Sequence, residues 1–268
     1  MAHALRTGTA WDKRTEDYAY TRGLDKPGWA WEFLRRNMVF QRAANLAQGS
    51  KHVTFKQVSG TRLYEADVND NAALSWGLCV FPDAQKSALD ADIFWHPQAI
   101  SSHLRLLLSP FAGQSENAFA LEDFQCRRAV LRQNYHEQLV LQHGSDSIRL
   151  TACGRSLLDT RSNVTFEIDG FAKTHASVAV LQLLSRFREA PPTKPQSHKR
   201  YNSKWHDYLV ALDGHLAGGS YRDIAEVLYG ADRVKSVWTD ETRHLKDRTR
   251  RAVECGVALM NGGYRDLL

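Results

Sequence analysis

The stretch from Ser220 to Met260 constrains the fold more than any other part of the chain. It opens with SYRDIAEVLYG, in which Ser220 suits a helix N-cap, Gly230 suits a C-cap, and apolar residues between them follow helical spacing. The later segment TRHLKDRTRRAVECGVALM has one apolar face, which consists of Leu245, Thr249, Ala252, Val253, Gly256, Val257 and Met260. The two patterns predict a short capped helix followed by a longer amphipathic helix.

The opposite face of the longer predicted helix is basic. Its polar positions are Arg243, His244, Asp247, Arg250 and Arg251, with Lys246 and Arg248 on the flanks. A short capped helix followed by a basic helix is the order in which helix-turn-helix domains present a recognition helix to the major groove. Two core helices with a solvated basic face give the same pattern, so spacing alone leaves both interpretations open.

The connection between these two helices is longer than the turn of about 3–4 residues in an ordinary helix-turn-helix. We interpret residues 230–241 as an extended turn whose Trp238 packs against the helix pair and whose cations reach phosphate. The N-terminus of the short helix, near Arg222, is a further place where backbone N–H groups meet phosphate. The predicted DNA-binding residues are therefore Arg243, His244, Lys246, Arg248, Arg250, Arg251, Arg233, Lys235 and Arg222.

Length, charge and cysteine content bound the class of protein. The 268 residues are enough for one to three domains, and a net charge of +5 permits a nucleic-acid partner without requiring one. The four cysteines are far apart and form no CxxC pair, so we expect no zinc site, no disulfide framework and no cofactor. Because no long apolar run marks a signal peptide or a membrane span, we expect a cytoplasmic protein without membrane contact.

Motifs of the common enzyme classes are missing from the sequence. It has no GxGxxG at a strand-to-helix turn, no GxxxxGK[ST], no HExxH and no GxSxG. We therefore predict that the protein is not an enzyme and name no catalytic or metal-binding residue. An enzyme whose residues converge only in three dimensions remains an open alternative.

The N-terminal block predicts a helix that is apolar on two sides. Asp25 precedes Lys26 and Pro27, a typical helix start, and aromatic residues then follow on both faces. Such a helix is buried on two sides or meets a partner. The residues expected to carry this interdomain or partner contact are Trp29, Trp31, Phe33 and Leu34.

The rest of the chain predicts an α+β fold. EQLVLQ, the turn HGSDS and IRLTA read as a β-hairpin, VTFEI as a third strand, and residues 172–190 and 205–216 as helices. The predicted fold is mainly helical, with a small antiparallel sheet packed against a C-terminal helix-turn-helix variant. The predicted domains are an N-terminal helical domain at 1–60, a partly irregular connection at 61–134, and the sheet with the DNA-binding helices at 135–268.

Several pieces of the chain, in a fixed order, resemble one family. WAWEFLRRN at 29–37, with WDKRTEDYAY before it, resembles the N-terminal regulator-like domain found in proteobacterial mobile elements. The later pieces resemble the domain that accompanies it, which is similar to an extended-turn helix-turn-helix; they are LVLQ…IRLTACGRSLLD, FEIDGFA, SYRDIAEVLYG and TRRAVECGVALMNGGYRDLL. Together they resemble the frameshifted excision activators of integrative and conjugative elements. Met38 stands where that family has a proline, so the N-terminal helix is expected to continue unbroken there.

The resemblance implies a sequence-specific transcriptional activator. It would act at the promoter upstream of the excision genes, raise excisionase (recombination directionality factor) expression, and so promote excision and conjugative transfer. The implied partners are double-stranded DNA, RNA polymerase, and an antiactivator that binds the N-terminal domain. Two alternatives stay open: a protein-binding antiactivator without DNA contact, and a recombination accessory factor that bends DNA.

Overall fold

The computed structural model describes residues 15–48, 53–66, 71–111, 113, 118–133, 136–168, 170–171, 174–189, 202–238 and 243–268. The α-helices of this part are α1 Lys26–Leu34, α2 Met38–Gln48, α3 Asn71–Leu74, α4 Thr174–Glu189, α5 Ser203–Leu216, α6 Tyr221–Tyr229, α7 Ala231–Val237 and α8 Arg243–Met260. The described chain divides into two compact units. A helical unit holds residues up to 41, 84–91 and 197–267, and a sheet unit holds 42–83, 92–196 and 268.

The sheet unit is built on eight strands of the described chain. They are β1 Val53–Val58, β2 Thr61–Ala66, β3 Leu104–Pro110, β4 Ala118–Phe119, β5 Arg127–Gln133, β6 His136–His143, β7 Asp146–Gly154 and β8 Ser162–Glu167. Their order across the sheet is β1-β2-β5-β6-β7-β3-β8-β4. The β2–β5 and β3–β7 pairs are parallel and the others are antiparallel. One apolar face packs with Val180, Leu184 and Phe187 of α4.

The α+β class is confirmed, but the prediction of a small antiparallel sheet is wrong. The predicted hairpin is present as β6 and β7, and the predicted third strand is present as β8. The sheet is larger and mixed because segments from 53–133 join it, and their local pattern was weak. KHVTFKQVSG alternates as a strand does, and it contains β1, but all six β1 residues are exposed, so neither face of the strand is buried. Its pairing with β2 depends on the Ser59–Gly60 turn, where both residues have positive φ.

Helix α1 is buried on every side within the helical unit. The Asp25 side chain accepts the backbone N–H of Gly28 at 2.8 Å, so the predicted helix start is confirmed. Every residue from Pro27 to Leu34 is buried. The apolar residues on both faces account for this burial, because neither face can be left to water.

The expectation that this helix continues unbroken through Met38 is wrong. α1 ends at Leu34 and α2 begins at Met38, because Asn37 caps the second helix. The Asn37 Oδ1 atom accepts the N–H groups of Val39 and Phe40 at 2.9 and 3.1 Å. Its amide nitrogen donates to the carbonyl of Met260 at 3.3 Å, which ties this turn to the end of α8.

A fully buried carboxylate, that of Glu32, lies in the middle of α1. Its Oε2 atom accepts from the Tyr20 hydroxyl and the Arg35 Nε at 2.7 Å each, and from the Arg36 Nη1 at 2.8 Å. Its Oε1 atom accepts the N–H of Ala88 at 2.7 Å. Burial alone raises the pKa of Glu32, but the charges of the two arginines, with the hydrogen bonds, lower it to about 2. The carboxylate is therefore ionised and fully bonded in the fold.

The second arginine of this group connects α1 to α5. Arg36 Nε and Nη2 contact the two carboxylate oxygens of Asp213 at 2.5 and 2.8 Å, a bidentate pair. The hydroxyl of Tyr18 donates to the same carboxylate at 2.7 Å. The Trp29 ring lies 5.9 Å from the Trp205 ring of α5, which extends the contact with apolar area.

Helix α5 in turn lies very close to α8. A Cβ atom placed on Gly256 would lie 2.5 Å from the carbonyl oxygen of Tyr208 and 3.0 Å from the Cβ of Leu212. Because Gly256 has no side chain, α5 and α8 lie closer together than a residue with a side chain would allow. Buried Ala211, Ala252 and other apolar residues fill the rest of this contact.

Glu32→Gln should destabilise the helical unit by about 3 kcal/mol at pH 7, because two buried guanidinium groups lose their shared charge. The pKa of Glu32 in the fold, about 2, is below the unfolded value near 4.5. Its stabilisation is thus complete above pH 4.5 and is lost as the pH falls toward 2. Urea unfolding followed by tryptophan fluorescence at pH 7, 5 and 3 should show the gap to wild type narrowing. A gap that is constant with pH would contradict this assignment.

Gly256→Val should destabilise the helical unit by about 1–3 kcal/mol, because the new side chain must push α5 and α8 apart. Ala258→Val is the matched control, since it introduces the same residue at an exposed position of α8. Thermal melts of both variants measure the difference. Equal melting temperatures would mean that the close approach of the helices is not required.

Candidate nucleic-acid interface

Helix α6 begins and ends where the sequence predicts. The Ser220 hydroxyl accepts the N–H of Asp223 at 3.2 Å, and the Asp223 carboxylate accepts the N–H of Ser220 at 3.1 Å. This reciprocal capping box satisfies two backbone donors that the first turn leaves unpaired. Gly230 ends the helix with φ of +91°, a conformation in which a side chain is strained.

The segment predicted as an extended turn contains a helix. Residues Ala231–Val237 form α7, so an extended turn across 230–241 is wrong for this part, and residues 239–242 lie outside the described chain. Val234 is buried against Ala225 and Leu245, and Trp238 packs against the same cluster, as expected for this aromatic. The sequence did not predict α7, because a helix of seven residues with few apolar positions is too short to show a helical period.

The two faces of α8 lie as the periodicity predicts. The buried residues are Leu245, Thr249, Ala252, Val253 and Gly256. The exposed residues of the opposite face include His244, Asp247, Arg248, Arg250, Arg251 and Glu254, and Lys246 is half-buried. Arg243 begins the helix, but its side chain lies outside the described part. Packing of the apolar face thus leaves the basic face open to a partner.

Two cations of α8, Arg248 and Lys246, contact aromatic rings of the helical unit. Arg248 lies over the Tyr229 ring at 4.9 Å, and its Nη2 is 3.6 Å from the Asp207 carboxylate. Lys246 lies over the Trp238 ring at 5.8 Å. Both side chains are therefore held against the helical unit, which limits how far they extend from it.

Arg250 and Arg251 extend from the exposed face itself. Arg250 is 3.4 Å from Asp247 and 3.7 Å from Glu254, both on α8. Arg251 forms no ion pair with any residue that the structure describes. These two arginines are the members of the predicted set that are best placed for an external anion.

The remaining predicted cations lie on the neighbouring helices. Arg233 and Lys235 are exposed on α7, and Arg222, exposed at the start of α6, is 3.3 Å from Glu226. Since α6, α7 and α8 share the cluster around Val234, the helices that carry these residues are packed together. The fold therefore gathers the elements that carry the predicted DNA-binding residues into one region.

The four predicted contact residues of the N-terminal block are buried inside the helical unit. Trp29, Trp31, Phe33 and Leu34 have at most 1% of their surface exposed. The Trp31 ring nitrogen donates to the carbonyl of Lys86 at 3.0 Å. Sequence reasoning missed the polar residues of the same stretch, Glu32, Arg35, Arg36 and Asn37. The sequence signal that could have identified these polar residues is the helix with two apolar faces. Polar residues between two buried faces are themselves shielded from water.

The described residues give little evidence of a metal site or of a membrane span. No group of three or more His, Cys, Asp or Glu residues there could hold a metal ion, and all four cysteines are free thiols. A polar cavity of about 320 Å³ in the sheet unit is lined by Arg132, Glu137 and Ser156, among others. The Ser156 hydroxyl donates to the Glu137 carboxylate at 3.0 Å and accepts from Arg132 at 3.0 Å, so these polar groups of the cavity pair with one another. No described helix is long and apolar enough to cross a membrane.

Comparison with known families matches both ends of the chain. Residues 163–268, which include α5 to α8, match the family described as "T6SS, Transcription factor, DNA binding domain". Residues 11–82, which include α1, match the family described as "Proteobacterial transcriptional regulator-like domain". No curated protein matches the chain. Together the two family matches support a DNA-binding transcription regulator whose partner is DNA.

Ser220→Ala should destabilise α6 by about 1 kcal/mol, because it removes one half of the capping box. Hydrogen exchange of the α6 amides should become correspondingly faster. Ser203→Ala, at an exposed position in the first turn of α5 where Asn202 is the cap, is the control and should change little. Unchanged exchange in Ser220→Ala would show that the cap does not stabilise the helix.

Proposed function

We propose that this protein is a sequence-specific transcriptional activator that reads duplex DNA with the exposed face of α8. The observation that carries the proposal is the location of that face: it lies within the part that matches a DNA-binding domain, and it presents Arg250 and Arg251 outward. An amphipathic helix with a buried apolar face and an open basic face suits the major groove.

The nine predicted DNA-binding residues divide into groups by the part of the duplex that each can reach. Arg250 and Arg251 project from the middle of α8, where an arginine can bind guanine O6 and N7 or a backbone phosphate. Arg233, Lys235 and Arg222 lie on the adjoining helices and suit phosphate contacts, which set position and salt dependence. The residues assigned to the borders of the interface are Arg243, His244, Lys246 and Arg248.

The proposed regulatory output follows from the resemblance to excision activators. The protein would bind upstream of the excision genes of an integrative and conjugative element and raise excisionase expression, which promotes horizontal gene transfer. The match of residues 11–82 to a regulator-like domain agrees with a role in transcription. In this proposal an antiactivator at the N-terminal domain would compete with contacts such as that between Trp29 and Trp205, and RNA polymerase would be contacted from another surface.

Arg250→Glu with Arg251→Glu should lower affinity for promoter DNA at least about 100-fold, because two attractive charges near the duplex become repulsive. The measurement is a mobility-shift titration of the full chain against the upstream region of the excision genes, with competitor DNA and at two salt concentrations. Both residues are exposed, so circular dichroism should match wild type.

The matched control is Arg105→Glu with Arg155→Glu. It makes the same change in net charge at two exposed positions of the sheet unit and should retain most of the affinity. Full affinity of the α8 variant in a folded sample would refute the proposed interface. Equal losses in both variants would mean that net charge, and not this face, governs binding.

The same titration separates the alternatives. A footprint confined to the attachment site, with none at the promoter, would favour a DNA-bending recombination accessory factor. A folded wild-type protein that binds no DNA beyond competitor level would favour a protein-binding antiactivator. Capture experiments with the full chain would then identify its partner.

A further inference from the structure

The exposed face of α8 contains an arginine between two carboxylates. Arg250 Nη2 is 3.4 Å from Asp247, one turn before it, and Arg250 Nε is 3.7 Å from Glu254, one turn after it. All three side chains are more than half exposed, at 59, 61 and 65%. The group therefore faces outward as a row along the helix axis.

Helix stability does not explain this row. Exposed i,i+3 and i,i+4 ion pairs contribute about 0.3–0.5 kcal/mol and are screened by salt. If the face bound phosphate alone, the two carboxylates would weaken it, since they repel the DNA backbone. Arg251, which has no ion pair with a described residue, suits phosphate better than Arg250 does.

The row does suit base recognition. Asp247 lies near Nη2 of the Arg250 guanidinium and Glu254 near its Nε, so the group loses rotational freedom, while contacts of 3.4 and 3.7 Å leave some of its five N–H donors available. A bidentate contact to guanine needs a fixed, outward fork. The carboxylates also penalise approach to phosphate, so they lower non-specific affinity more than affinity for the correct site.

We propose that Arg250 is the base-reading residue of α8 and that Asp247 and Glu254 are its positioning residues, which set sequence specificity. This inference rests on the proposed DNA-binding function and adds the residues that discriminate one sequence from another. Discrimination then depends on the two acidic residues of a basic face, in addition to its cations.

The test is Asp247→Asn with Glu254→Gln in the full chain. A wild-type selection from random duplexes first supplies the preferred sequence, and fluorescence anisotropy then measures affinity for that duplex and for a scrambled one at two salt concentrations. We expect affinity for the scrambled duplex to rise about 3–10-fold with a steeper salt dependence, and the ratio of specific to non-specific affinity to fall about tenfold. Arg250→Lys should lose the ratio while keeping non-specific affinity.

The matched control is Asp159→Asn with Glu167→Gln, which removes two carboxylates that are ion-paired and partly exposed on the sheet unit. It should raise both affinities equally and leave their ratio unchanged. An α8 variant that behaves like this control, or an Arg250→Lys variant that keeps the wild-type ratio, overturns the inference. A folded wild-type protein that enriches no sequence instead overturns the proposed function itself.

Discussion

The helical unit depends on the compensation of one buried negative charge. Glu32 has no access to water, and it stays ionised because two arginines, a tyrosine hydroxyl and a backbone N–H surround it. Arg36 shares its guanidinium between this carboxylate and Asp213 of α5. A buried charge that loses one partner is strongly unfavourable, so the geometry of α1 against α5 is tightly constrained.

This constraint extends from the N-terminal block to the proposed DNA-reading helix. Asp213 lies on α5, α5 approaches α8 at Gly256, and Asn37 bonds to the carbonyl at the end of α8. Glu32 and Arg36 belong to the segment that matches the regulator-like family, whereas Asp213 belongs to the segment that matches the DNA-binding family. The two matched segments therefore meet within one unit, and α8 is oriented by contacts that both of them supply.

Local signals in the sequence predicted the elements whose stability is local. Ser220 and Gly230 marked the ends of α6 because capping involves residues only a few positions apart. The two faces of α8 followed from its period, and the β6–β7 hairpin followed from its turn. The sequence did not predict the parallel pairs β2–β5 and β3–β7, because the two strands of each pair are distant in sequence.

The amino-acid sequence alone indicated where α1 and α6 begin, which face of α8 is apolar, and that α1 needs burial on two sides. These properties depend on spacing along one helix. The contact of Arg36 with both Glu32 and Asp213 is visible only in the folded chain, because Arg36 and Asp213 are 177 positions apart and their contact leaves no mark in the pattern of one sequence. The tertiary structure also decided which cations stay outward: Arg248 folds onto Tyr229, while Arg250 and Arg251 remain on the open face. The position of each cation depends on which aromatic and acidic groups of the neighbouring helices lie within its reach.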